Sequence, residues 1–108
     1  MAEQATDTAQ RILALFEADR VSIQSALGKS AISALQVHDY VRRHAFVSSS
    51  LAVNATGLSM PTVLAALSRL QNLGIVRETT GQARNRIYVY DRYLTILNAG
   101  VARDVQTA

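Results

Sequence analysis

The sequence predicts a mainly α fold with one small β-hairpin, and three observations carry that prediction. Apolar residues recur at three- and four-residue spacing through the first 27 positions and again through 63–70. Two β-branched or aromatic segments, 75–79 and 86–90, flank a polar stretch that contains Gly81. The chain has 108 residues, 49% apolar and 18% charged, with one proline and five glycines, which suits one modest core and excludes disordered or collagen-like classes.

The elements follow in chain order. Ile12, Phe16, Ile23 and Leu27 trace one face of a long amphipathic helix over about 6–27, and Gly28 is the expected stop. A second helix is expected over 30–44, with Ile32, Leu35, Val41, Ala31 and Ala34 in a less regular stripe. Ser48, Ser49 and Ser50 offer N-cap oxygens to a short helix with Leu51 and Ala55 on one face, ending near Gly57. The fourth helix has both ends marked. Ser59 is a good N-cap, Pro61 falls in the first turn, Val63, Leu67 and Leu70 form the apolar stripe, and Gly74 closes it. The strands 75–79 and 86–90 then form a hairpin with a six-residue tip, 80–85. Asp91 caps a last helix containing Tyr93, Leu94 and Leu97, expected to stop at Gly100 and leave 101–108 as a frayed tail.

Several function classes are excluded or disfavoured at this level. The longest apolar run is five residues, against roughly 20 for a membrane-spanning helix. The first ten residues carry Glu3 and Asp7 and no apolar core, unlike a secretory signal, and the chain has no cysteine, so a cytoplasmic setting is expected. Gly28-Lys29-Ser30 echoes the end of a phosphate-binding loop, but Ile23 stands where the first glycine of that loop belongs. His38 and His44 lack the spacing and companions of a metal site, so no metal and no cofactor is expected. Asn54-Ala55-Thr56 matches a glycosylation sequon but falls inside a helix. Tyr88, Tyr90 and Tyr93 are expected in packing rather than in nucleotide stacking.

Charge is unevenly distributed. Residues 42–92 hold seven arginines against Glu78 and Asp91, a net of +5, whereas the first 41 residues hold three cations against five carboxylates, a net of −2. The basic half can meet a polyanion.

The order of elements is that of a winged helix-turn-helix, preceded by a long N-terminal helix and closed by a C-terminal helix. The division expected is a linker helix over 1–29, the winged domain over 30–100 and a tail over 101–108. In Ala55-Thr56-Gly57-Leu58-Ser59, Gly57 can take a positive φ that lets two short helices cross steeply, with Ala55 and Leu58 packed in the angle between them. Helices so placed enter the DNA major groove, and the hairpin meets the backbone or minor groove. The expected DNA contacts are therefore Ser59, Pro61, Thr62, Ala65, Ser68 and Arg69 on the recognition helix, with Met60 also outward. The expected wing and flank contacts are Ser48, Ser49, Arg77, Gln82, Arg84 and Arg86. Against strong binding, that helix has one clear cation, Arg69, and the small or apolar Met60, Leu64 and Ala65.

Gly57-Leu58-Ser59-Met60-Pro61-Thr62-Val63, Leu67-Ser68-Arg69-Leu70, Leu73-Gly74-Ile75-Val76-Arg77-Glu78 and Arg84-Asn85-Arg86-Ile87-Tyr88-Val89-Tyr90 together resemble the C-terminal winged-helix domain of Fic-family proteins (filamentation induced by cAMP, protein adenylyltransferases). Residues 11–20 look like the helix linking the Fic catalytic core to that domain, and 91–98 like its closing helix, so the resemblance covers about 9–100. It implies a DNA-binding or regulatory module, or an interaction module that positions the catalytic domain or recruits its targets. The HxFx(D/E)GNGR loop of the catalytic core is missing. His44-Ala45-Phe46 matches its first letters only, followed by Val47-Ser48-Ser49-Ser50, so no catalytic residue carries over and the chain is not expected to be an enzyme. The expected partners are double-stranded DNA, an upstream Fic catalytic domain or a target protein, with no membrane; apolar stripes on the two terminal helices suggest a homodimer.

Overall fold

The computed structural model describes the backbone of residues 2–81 and 86–107, and the side chains of 7–81 and 86–100. The fold is mainly helical with a small antiparallel sheet. Its elements are α1 (Ala2–Leu27), a 3-10 turn (Gly28–Ser30), α2 (Ala31–His44), β1 (Phe46–Ser48), α3 (Ser49–Thr56), α4 (Met60–Asn72), β2 (Arg77–Glu78), β3 (Ile87–Val89) and α5 (Asp91–Thr107).

The sheet has three strands, one more than the hairpin the sequence predicts. Its order is β1-β3-β2, with Val47 opposite Tyr88 and Glu78 opposite Tyr88 from the other side. β1 escapes a reading by periodicity because it is three residues long and sits between two helices. α2 ends at Ala45, whose φ of 67° is left-handed, and the Ala45 carbonyl accepts the Tyr90 N–H at 2.8 Å. The reversal at Ala45 thus turns the chain out of α2 and into register with β3.

One core joins α1, α2, β1, α3, α4 and β3. Ile23, Val37, Val41, Val63, Leu67, Leu70, Ile75 and Tyr90 are fully buried in it. On α4 the stripe of Val63, Leu67 and Leu70 faces inward as expected. On α3 the buried residues are Ser49 and Ala52, while Leu51 and Ala55 are exposed. The expected Leu51–Ala55 face is therefore the outer one, and Leu58, without Ala55, packs on the core at the turn.

The chain's last helix does not stop at Gly100 but runs to Thr107. Gly100 is buried against α1, where a Cβ would stand 2.6 Å from Thr8 Oγ1. It is a glycine of close helix approach, not of a C-cap, which is why the expected frayed tail is helical instead. α1 and α5 pack along each other, with Phe16 against Tyr93 and Thr8 against Gly100. Among the described residues no single helix is long and apolar enough to cross a membrane, and the apolar pair α3 and α4 is bent by 114°.

Candidate nucleic-acid interface

The turn between α3 and α4 spans Gly57, Leu58 and Ser59. Gly57 adopts φ 73° and donates its N–H to the Val53 carbonyl at 2.9 Å, ending α3. Thr56 Oγ1 then accepts the Leu58 N–H at 3.2 Å, and Ser59 Oγ accepts the Thr62 N–H at 3.4 Å to start α4. These local bonds fix the 114° angle, within the range of helix-turn-helix units. The inner stripe of α4 is buried, so the opposite face is left uncovered. Met60, Leu64 and Ser68 form one exposed row at four-residue spacing, beside exposed Pro61 and half-buried Ala65 and Arg69.

The structure sorts the sequence-predicted residues by availability. Pro61 and Ser68 are exposed, whereas the Thr62 hydroxyl is hydrogen-bonded to Ser59 at 2.9 Å and both serve the N-terminus of α4. Ser48 Oγ accepts the Leu51 N–H at 3.1 Å as the N-cap of α3. Ser49 is buried, a correction to its expected role as a contact: it occupies the first turn of α3 on the side facing the core. Gln82 and Arg84 lie outside the described residues, and Arg86 is exposed.

Electrostatics temper the basic half. Arg77 Nε donates to Asp91 at 2.7 Å, which holds the Asp91 carboxyl below the usual carboxylate range and raises the Arg77 guanidinium. Arg42 and Arg43 both reach Asp39, at 2.6 and 3.4 Å, and Arg92 lies 3.5 Å from Asp19. Arg42, Arg43, Arg77 and Arg92 thus face carboxylates among the described residues. At the root of the hairpin tip, Glu78 accepts the N–H groups of Thr80 and Gly81 and the Thr80 hydroxyl. Those bonds, with Arg86 nearby, lower its carboxyl, so the tip carries a fixed negative charge beside Arg86.

A second polar cluster escapes sequence reasoning. Asp19 on α1, 3% exposed, accepts the Tyr90 hydroxyl proton, and Tyr90 in turn lies 3.2 Å from His38 Nε2 on α2. Phe16 closes the seam, its ring 5.8 Å from Tyr90, 5.5 Å from Tyr93 and 6.4 Å edge-on from His38. Burial is the main cause that pushes the Tyr90 phenol up, and the adjacent Asp19 adds to it. Burial also pushes the His38 imidazole down, with Arg42 assisting and Asp19 and Asp39 opposing. The phenol is thereby held protonated, and its bonds tie α1 and α2 to the end of β3. Asp19 reads in the sequence as one more polar position on an amphipathic helix; its partner is 71 residues away. Among the described residues no cluster of three or more potential metal ligands occurs.

Comparison with models of known protein families and with curated proteins returned no match.

Proposed function

We propose that this chain is a DNA-binding winged-helix module of the kind that accompanies Fic catalytic domains in the cytoplasm, acting without a cofactor and without catalysis of its own. One observation carries the reading: α4 stands at 114° to α3 with its inner face committed to the core and its outer row uncovered. α4 would lie in the major groove with Pro61, Ala65, Ser68 and Arg69 toward the bases, and the hairpin of β2 and β3 would flank the backbone through Arg86 and Arg84. The resemblance of 57–98 to the Fic-family domain supports the same assignment. Because four arginines face carboxylates, binding to arbitrary sequence is expected at the weak end of about 10⁻⁴ to 10⁻⁶ M at physiological salt.

Fluorescence anisotropy with mixed-sequence duplex DNA at about 50 and 200 mM salt tests this. Binding that weakens steeply with salt, and that falls in the Arg84→Ala/Arg86→Ala and Ser68→Glu variants, is the expected result. Absence of binding at about 50 mM salt with protein at several hundred micromolar would overturn it.

A second reading is favoured by the apolar character of the same row, since Met60 is 40% and Leu64 42% exposed. There α4 docks on a target protein, on the Fic domain or on a second copy. Such binding would survive moderate salt and fail in Leu64→Glu. A second copy would show as dimer mass in sedimentation at about 100 µM, the concentration that detects contacts of about 5 to 6 kcal/mol.

A further inference from the structure

Between α1 and α2 lies a cavity of about 390 Å³, in the size range of small-molecule sites. Phe16 and Leu35 give it an apolar lining, and Leu13, 65% exposed, stands with them. Its charged residues cancel in pairs: Arg20 Nε donates to Glu17 at 2.9 Å and Arg42 Nε to Asp39 at 3.0 Å. The rim therefore carries no net charge and favours neither a cation nor an anion overall, so the lining suits an uncharged guest.

His38 also lines this cavity, and its one hydrogen bond fixes the roles of its two ring nitrogens. The Tyr90 hydroxyl has one proton and gives it to Asp19. The contact with His38 at 3.2 Å therefore has His38 Nε2–H as donor and the Tyr90 oxygen as acceptor. In the neutral imidazole Nδ1 is then an acceptor, and it has no hydrogen-bond partner among the described residues. His38 is 4% exposed, so a donor that reaches this acceptor meets little competing water.

We propose that the α1–α2 cavity is a binding site for a small, neutral aromatic molecule bearing one hydroxyl or N–H donor, its ring against Phe16 and Leu35 and its donor on His38 Nδ1. The site does not depend on the reading of α4, and DNA is absent from its test. In the full chain at pH 7.5, titration with 4-methylphenol followed by ¹H–¹⁵N NMR is expected to give saturable shifts that converge on Phe16, Leu35 and His38, with a change at the His38 Nδ1 resonance. 4-Methylanisole, which keeps the ring and loses the donor, is expected to bind about tenfold more weakly. 4-Methylbenzoate is expected to bind no better than the anisole. Leu13→Ala, at an exposed position that leaves folding intact, is expected to weaken 4-methylphenol severalfold. Equal affinity for the phenol and the anisole, shifts that converge elsewhere, no saturation, or an unchanged Leu13→Ala would each overturn the proposal.

Discussion

The seam where α1 meets α2 and β3 and the face where α3 meets α4 hold their helices by different means. At the seam, a buried carboxylate, a phenol and an imidazole meet in a chain of directional bonds. Under α4 the contact is apolar, made by Val63, Ala66, Leu67 and Leu70, and polar bonding is confined to the turn. Apolar burial is strong and indifferent to direction, whereas hydrogen bonds contribute little net energy but tolerate few geometries. The core therefore supplies the strength that holds α4, and the seam fixes the register at which α1 lies across the domain.

The greatest expected loss falls on the apolar side. Leu67→Ala should cost about 2–5 kcal/mol in urea unfolding, because it opens a cavity under α4. Leu64→Glu, three residues away on the exposed face, should stay within about 0.5 kcal/mol, so similar losses in the two would erase the distinction between the faces of α4.

Tyr90→Phe is the corresponding cut at the seam. It keeps the ring and leaves Asp19 buried without its donor, at a cost of about 1–3 kcal/mol. A loss under about 0.5 kcal/mol would show that the hydroxyl bond is replaceable.

The turn offers a matched pair. Gly57 at φ 73° ends α3 and Ala45 at φ 67° ends α2, in nearly the same left-handed geometry. Gly57→Ala meets no atom within 4 Å and should cost about 1 kcal/mol from backbone strain alone. Ala45→Gly should be neutral or slightly stabilising, as relief of strain opposes the added freedom of the unfolded chain. Paired thermal unfolding curves check both signs.

The last expectation is a slope. Burial lowers the His38 pKa below its unfolded value near 6.5, so between the folded pKa and 6.5 the unfolded chain holds more protons. Stability is then full above pH 6.5 and declines as pH falls through that window, levelling off below the folded pKa. In urea titrations at pH 7.5 and 5.5, His38→Gln should lose less stability on acidification than the native chain. An equal loss would assign the slope to other groups.

Legibility in the sequence followed the range of the interaction. α4 could be read almost to the residue, because Ser59, Pro61 and the 63-67-70 stripe act within the helix itself. The hairpin residues Arg77 and Arg86 were visible as charge, but the Asp91 partner of Arg77 lies 14 positions on and depends on how β2 meets α5. β1 has no local signal of its own and exists through pairing with β3, 41 positions later at Val47 and Tyr88. Gly100 misled for a related reason. A glycine at a helix end and a glycine under a crossing helix look alike until Thr8 is in place.

The bond from Tyr90 to Asp19 also bears on the order of assembly. It closes a loop of 71 residues, whereas the Gly57 turn and the Ser59 cap close loops of four or fewer. Loop closure over that span comes at an entropic cost that short turns avoid, so the helical turns and the α3–α4 corner should form early and the seam late. Loss of the Tyr90 hydroxyl should then appear mainly as faster unfolding, with the folding rate nearly unchanged. α1 is the last helix to lock and the first to be released.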